Sequence, residues 1–344
     1  MPHPTHLLPL TLLLLSSCVD HNNDATLTID LNRTTQQTLT ISPILTPDTS
    51  HLTLTPSPTG VYTLHTSLTP TGIYLAQFDP QHAIPLAIHH NQPQQLCGTY
   101  PHLDSLTASN PETQALIAAL RLQHALAQPS DSLRSTLTPT QLADTLTTLR
   151  TLARPHADAL LNSLPPTSLA AIPILNIPGL YNDISDHQLL LQHYSSLATT
   201  YPHITPITRR ATQLAQLSRL LSLRSQYAQG NPIPHFSFTT PTSTLTPASL
   251  LGRRFTIALI PDSASASSAQ PLHILNFLLA DGQRVLIQSP DNLPLPQRSS
   301  LTRGHFDSLT LLPDLLHFAP ALISVAPDGT ISSLRLGHNA RPQH

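Results

Sequence analysis

The chain lacks several residue types on which common catalytic sites depend. It contains no lysine and no tryptophan, and Glu112 is its only glutamate. The absence of lysine excludes a phosphate-loop lysine, a Schiff base and a Ser-Lys dyad. One glutamate leaves no His-Glu-x-x-His helix of the zinc proteases, and neither Gly-x-Ser-x-Gly nor Gly-x-Gly-x-x-Gly occurs. Several large enzyme classes are therefore excluded.

Charge is scarce as well. Charged residues make up 10% of the chain, and the formal net charge is −2 at pH 7. Without a basic excess we expect no nucleic-acid partner. The 344 residues, of which 40% are hydrophobic, are enough for two or three compact domains with sizeable cores.

Histidine is abundant, with 20 residues, and suggests metal binding at first sight. Asp183, Asp186, His187 and His193 are close enough in sequence to form a metal site, but we favour a helix N-terminus, where aspartates cap free N–H groups and oppose the dipole. The adjacent pair His89-His90 follows a strand, where neighbouring side chains diverge. We attribute most histidines to compositional bias, and we predict no metal, no cofactor and no catalytic residue.

The first residues have the pattern of an export signal. An apolar run over 7–15 is too short to span a bilayer as a stable helix and has the length of a signal-peptide core. The segment Leu15-Ser16-Ser17-Cys18 then resembles the lipobox of bacterial lipoproteins. That resemblance implies a signal peptide over 1–17, a lipidated Cys18 and a polar tether over 19–24.

Two alternatives remain for this segment: an ordinary signal peptide, or a buried apolar segment with a chance cysteine. They remain because His3 and His6 stand where a signal peptide usually carries Lys or Arg. With two or three acyl chains Cys18 would hold the chain stably at a membrane. We therefore expect a bacterial envelope location, in the outer membrane and facing either the periplasm or the surface.

Hydrophobic periodicity divides the rest into three regions. Residues 25–105 alternate with period two and predict an antiparallel, β-sandwich-like domain. Residues 106–229 have helical spacing, with a helix start at Ser109-Asn110-Pro111-Glu112. Residues 230–344 mix strands and helices. The predicted fold class is a multidomain α+β or α/β protein.

The pattern also predicts individual elements. Strands are expected at 26–31, 51–55, 61–64, 72–76, 84–88, 236–238, 255–260, 285–288, 321–325 and 330–334. Helices are expected from 110 to about 126, at 139–153, 155–163, 186–200, 205–228, 267–280 and 307–317. The last two strands form a hairpin around Pro327-Asp328-Gly329.

The C-terminal region resembles the thioredoxin-like family of the TlpA/ResA and AhpC/TSA kind. The segments that carry the resemblance are Gly230–Phe236, Ser249–Arg254, Phe318–Ile323 and Pro327–Ile331. It implies a thioredoxin-like domain over 230–344 and makes Pro320 the counterpart of the family's cis-proline. Together with the lipobox, the β domain and the helical spacer, this order resembles a recurring class of Gram-negative envelope lipoproteins.

The sequence departs from the family at its chemistry. The family's Cys-x-x-Cys belongs where the first core strand meets its helix, and residues 263–268 of this chain contain no cysteine there. Ser265 and Ser268 have the matching spacing, but hydroxyls cannot replace a thiolate or form a disulfide. The remaining thiol, Cys97, lies in the β region and is either an inert free cysteine or a reactive one.

We therefore expect a non-catalytic binding or scaffolding protein with an envelope protein or peptide as partner. One alternative is a thiol-disulfide oxidoreductase or peroxidase that works through Cys97 or the thiols of a partner. Another is an accessory lipoprotein of a surface nutrient-acquisition system.

Overall fold

The structure is a computed structural model, and it describes residues 25–31, 37–45, 51–79, 82–100, 102–133, 136–261, 283–291, 293 and 295–337. Contacts between Cα atoms divide the chain into two compact units. Unit 1 comprises residues up to Tyr181 together with 196–207, and unit 2 comprises 182–195 together with the residues from 208 onwards. Among the helices of the described residues, none has the length and apolarity needed to cross a membrane.

Unit 1 contains two four-stranded sheets. The strands are β1 (Thr26–Asp30), β2 (Leu39–Pro43), β3 (Leu52–Leu54), β4 (Tyr62–His65), β5 (Gly72–Asp79), β6 (His82–Ile88), β7 (Gln94–Thr99) and β8 (His102–Ala108). One sheet has the order β4-β1-β7-β8 and the other the order β3-β2-β5-β6. Alternate residues of both sheets, among them Leu27, Ile29, Ile41 and Leu86, share one buried core.

One pairing corrects the prediction of a wholly antiparallel domain. Strands β1 and β7 are parallel, with Ile29 opposite Leu96. Alternating hydrophobicity specifies which face of a strand is buried, but it carries no information about the direction of the neighbouring strand. The strands β2, β7 and β8 were not predicted from the sequence.

Along the sequence, five helices of the described residues lie between the two β regions, and two more lie among the strands of the C-terminal region. Their bounds are α1 (Pro111–Leu133), α2 (Pro139–Asn162), α3 (Ala171–Leu175), α4 (His187–Thr200), α5 (Thr205–Gln226), α6 (Pro247–Leu250) and α7 (Leu312–His317). Helix α1 begins at Pro111 as predicted and packs on β6, β8 and α2. The short helix α3 was not predicted.

Helix α2 corrects the prediction of two helices separated at Pro155. It continues through that proline, which removes one backbone donor. Ala153, Ala157 and Leu161 are buried at a spacing of four residues on both sides of Pro155. Because they form one continuous apolar stripe, packing against the neighbouring elements outweighs the lost hydrogen bond.

Unit 2 is built on a five-stranded sheet. The strands of unit 2 are β9 (Phe236–Thr239), β10 (Thr244–Leu245), β11 (Phe255–Leu259), β12 (Arg284–Gln288), β13 (Leu301–Arg303), β14 (His305–Leu309), β15 (Ala321–Val325) and β16 (Ile331–Leu336). The main sheet has the order β13-β12-β11-β15-β16, and a smaller sheet has the order β10-β9-β14.

Strand β11 is parallel to β12 and antiparallel to β15. The turn between β15 and β16 contains Gly329 at a φ of 83°, a conformation that glycine adopts without strain. These strands match the strand–helix–strand and closing hairpin expected of the C-terminal region, and the helix expected at 267–280 lies outside the described residues.

Both faces of the main sheet are covered. Ile257 and Leu259 of β11 belong to one buried cluster, and Ala258 and Ile260 belong to another. This explains why every residue of β11 is buried and why its sequence reads as a continuous apolar run. Tyr227, directly after α5, lies in the first of these clusters.

The prediction of a helix at 307–317 is wrong for its first residues and correct for its second half. Residues 305–309 form β14, in which Phe306 pairs with Phe238 of β9, and only α7 is helical. Phe306 and Leu309 are buried in the same cluster as Ile257 of the main sheet. Burial of these two side chains therefore overrides the helical spacing of the following leucines.

Candidate functional site

The end of β11 is where the family resemblance places its chemistry. Leu259, the last residue of β11, lies opposite Ala321, the first residue of β15. Pro320 directly precedes Ala321. Pro320 therefore lies at the end of the sheet where β11 ends. Parallel sheets commonly bind ligands at this end, beyond the carboxyl termini of their strands.

Pro320 has a defined backbone environment. The peptide bond between Ala319 and Pro320 is cis. The Gly337 amide donates hydrogen bonds to the carbonyl oxygens of Phe318 and Pro320, both at 2.9 Å. The segment before β15 is thereby tied to the end of β16.

The two serines at the Cys-x-x-Cys positions, Ser265 and Ser268, lie outside the described residues. The sequence itself determines what chemistry they can supply. No cysteine follows Cys97 anywhere in the chain. Unit 2 consequently has no thiol of its own, and a serine hydroxyl neither ionises near neutral pH nor forms a disulfide.

Cys97 lies in unit 1, in strand β7, opposite Asp30 of β1 and Thr107 of β8. It is a free cysteine and is half-buried. The next residue, Gly98, marks a bulge in the β7–β8 pairing and has a φ of 150°. A Cβ atom there would lie 2.8 Å from the carbonyl oxygen of Ser105, so the bulge requires glycine.

A partly buried polar cluster of unit 1 was not predicted from the sequence. The Nε2 atom of His89 lies 2.6 Å from the Oε2 atom of Glu112. The buried Ser168 also hydrogen-bonds to Glu112. The separation of 23 residues between His89 and Glu112 gives no local signal. The available hint was that the only glutamate of the chain stands at a helix start.

The two charges shift each other's pKa. The hydrogen bond to Glu112 raises the pKa of His89 above 6.5, against the opposing effect of burial. Burial alone would raise the pKa of Glu112, but hydrogen bonds from His89 and Ser168 outweigh it and hold that pKa below 4.5. Both shifts favour the charged pair.

The order of groups in this cluster is unsuited to nucleophilic catalysis. A Ser-His-acid triad needs the imidazole between the hydroxyl and the carboxylate. Here the carboxylate of Glu112 lies between Ser168 and His89. A carboxylate in that position orients both partners but does not activate the serine through histidine, so we interpret the cluster as structural.

Neighbouring polar groups attach the start of α1 to the end of β6. The Oδ1 atom of Asn110 accepts the Glu112 amide at 2.8 Å, and its Nδ2 atom donates to the carbonyl oxygen of Ala87 at 2.9 Å. The Ala87 amide donates to the hydroxyl of Thr113 at 3.0 Å. The cluster therefore fixes the helix N-terminus against the strand.

The aspartates that resembled metal ligands have protein partners. Asp183 forms an ion pair with Arg210, and the Oδ2 atom of Asp186 accepts the Asn182 amide at 2.7 Å. Burial lowers the pKa of His193. Within the described ranges, no three His, Cys, Asp or Glu side chains come together as a metal site would require.

The chain matches no family model and no curated protein. It is similar to solved structures. A thioredoxin-like protein from Bacteroides caccae is 13% identical, with 65% of this chain and 89% of that chain covered and a TM-score of 0.28. A thio-disulfide isomerase from Thermus thermophilus is 17% identical, with coverage of 32% and 87% and a TM-score of 0.24. The soluble domain of Sco1 from Bacillus subtilis is 15% identical, with coverage of 33% and 87% and a TM-score of 0.24.

Proposed function

We propose that the chain is a lipid-anchored envelope protein whose unit 2 is a thioredoxin-like binding module that does not exchange disulfides. The observation that carries this proposal is the absence of cysteine after Cys97, in a unit whose five-stranded sheet ends in the hairpin that the resemblance implies. Thiol exchange needs a thiolate as nucleophile and a second sulfur to resolve the mixed disulfide. Unit 2 supplies neither.

The anchor is proposed at Cys18, after the apolar run over 7–15. Two or three acyl chains on one cysteine give membrane binding that a single chain does not sustain. Residues 19–24 would then separate the membrane from the first described strand, and they include Asp20 and Asp24. In this arrangement the partner of unit 2 is another envelope protein or a peptide.

The anchor is tested by metabolic labelling with an alkyne-tagged fatty acid in a bacterial host, followed by membrane fractionation. The wild-type chain should carry the label and sediment with membranes. Cys18→Ser should lose both, and Cys97→Ser, which removes the other cysteine, should keep both. Labelling of Cys18→Ser would contradict the anchor.

The competing function is thiol-dependent catalysis through Cys97, which is free and only half-buried. Insulin-disulfide reduction and peroxide consumption by the wild-type chain and by Cys97→Ser separate the two functions. The proposal expects both proteins to remain at the rate of the protein-free reaction. Turnover by the wild type that disappears in Cys97→Ser would replace the proposal with the competing one.

A further inference from the structure

A groove of about 560 Å³ runs along the last strand of the main sheet in unit 2. Strand β16 is the edge of that sheet, with β15 on one side. The groove lies between this strand and the C-terminal end of α5. The side chains that define it are Leu220, Arg224, Tyr227, Phe318, Leu334 and Arg335.

The backbone of β16 is paired on its outer side at one end only. Ile331 donates to the carbonyl oxygen of Asn231 and accepts from the Gly230 amide, both at 2.8 Å. Further along, the Gly337 amide points towards the β15 side. Because backbone groups alternate sides along a strand, those of Leu334 and Leu336 face away from β15. No strand of the described residues pairs with this stretch of edge, and an unpaired edge is a template for another extended chain.

The groove has a positive charge of its own. Arg224 lies in the last turn of α5, and Arg335 lies on β16. Within the described part of the chain, neither side chain has an ion pair or a hydrogen bond. The residues that line the groove, all of them described, include no aspartate or glutamate. With respect to the described residues, the two guanidinium groups are therefore free to bind carboxylates.

We propose that this groove binds an extended, acidic segment of a partner protein, which adds to the main sheet as a strand beside β16. The inference rests on the proposed binding function of unit 2 and names its partner class. Main-chain hydrogen bonds to Leu334 and Leu336 supply affinity, and Arg224 and Arg335 select acidic side chains. Leu220 and Phe318, which line the groove and are partly exposed, provide apolar surface for the alternate side chains of the bound strand.

The probe for this site is a fluorescein-labelled short peptide of alternating valine and aspartate, followed by fluorescence anisotropy with the full chain. Two matched peptides serve as controls. One replaces every aspartate with arginine, and the other keeps the sequence but is N-methylated at alternate backbone amides. We expect both to bind at least about tenfold more weakly than the acidic peptide, because one loses the charge match and the other loses the strand hydrogen bonds.

Variants of the protein test the two arginines. Arg224→Gln/Arg335→Gln should weaken binding of the acidic peptide by roughly tenfold. Arg253→Gln/Arg254→Gln removes the same charge from two exposed positions of unit 2 outside the groove and should leave binding unchanged within about twofold. Circular dichroism establishes that both double variants are folded.

Equal binding of the acidic and basic peptides, or equal loss in the two double variants, would overturn the inference. Equal binding of the N-methylated peptide would also overturn it, because strand pairing would then contribute nothing. The proposed function is judged separately, by disulfide reduction with the wild type and Cys97→Ser. A chain without thiol turnover that also fails to bind the acidic peptide would overturn the groove assignment alone.

Discussion

The two compact units differ in what they offer to chemistry. Unit 1 holds Cys97 and the only glutamate of the chain, Glu112, paired with His89. Unit 2 holds Pro320 at the end of a five-stranded sheet, and its sequence contains no cysteine and no glutamate. The free thiol and the cis peptide bond before Pro320 therefore lie in different units. Because activity depends on the residues of a site and not on the fold alone, each unit has to be judged by the groups it contains.

The largest expected effect is the loss of a buried aromatic ring from the core of unit 2. Phe255 is 2% exposed and lies edge-on to Phe236, with ring centroids 6.2 Å apart. Phe255→Ala should cost about 3–5 kcal/mol of unfolding free energy, because it removes a packed aromatic ring and leaves a cavity. Hydrogen exchange with mass spectrometry should show the loss in β11 and β12 more than in β5 and β6.

A matched control for this change is Leu251→Ala in the same unit, where the side chain is 59% exposed. Its effect should stay within about 0.5 kcal/mol. An equal loss of protection in β5 and β6 of Phe255→Ala would break the division into two units.

The next effect concerns the bulge beside the thiol in unit 1. Gly98→Ala should cost about 2–3 kcal/mol, because the new Cβ atom would meet the carbonyl oxygen of Ser105 at 2.8 Å and the backbone would be strained. Gly60→Ala is the control, since Gly60 also has a positive φ but no atom within 4 Å of its Cβ position. Chemical denaturation followed by circular dichroism measures both. A smaller cost at Gly98 than at Gly60 would argue against a required bulge.

A smaller effect is expected at the polar cluster of unit 1. Glu112→Gln removes the charge that pairs with His89 and should cost about 1–2 kcal/mol. Asp104→Asn changes a carboxylate whose side chain is 99% exposed and should cost less than about 0.5 kcal/mol. The same denaturation experiment compares them. Equal costs would mean that the His89–Glu112 pair contributes nothing beyond a surface charge.

The smallest effect is a pH dependence that belongs to unit 1. The raised pKa of His89 contributes stability that is present below pH 6.5 and is lost as the pH rises through the folded-state pKa. The lowered pKa of Glu112 contributes stability that is present above pH 4.5 and is lost as the pH falls through its folded-state pKa. Their joint contribution is therefore largest between these two pH values.

Denaturation at several pH values measures this contribution. Between pH 6 and pH 8 the wild type should lose about 1 kcal/mol more than His89→Gln, which cannot titrate. Parallel pH profiles of the two proteins would show that the pair is not coupled to folding.

Local patterns predicted the elements whose stability is local. The start of α1 follows from a polar cap and Pro111, and the hairpin of β15 and β16 follows from two apolar strands around Gly329. The continuous apolar run of β11 predicted a buried strand, and all residues of β11 are buried. In each case the residues that decide the structure are adjacent in sequence.

Features that depend on distant residues could not be predicted in this way. The parallel pairing of β1 with β7 joins segments far apart in the chain, and β14 forms because Phe306 packs on the small sheet. The partner of His89 is a helix residue that the fold brings to it. The groove along β16 likewise requires the end of α5 to lie beside a sheet edge. These contacts become visible only with tertiary structure.

We propose that missing sulfur, and not the surrounding fold, prevents disulfide exchange by unit 2. Insulin reduction by the wild type, compared with Ser265→Cys/Ser268→Cys in a Cys97→Ser background, tests it most directly. We predict that the wild type stays at the rate of the protein-free reaction and that the variant with two new cysteines exceeds it by at least about tenfold. Insulin reduction by the wild type, or a double-cysteine variant that remains at background, would contradict the claim.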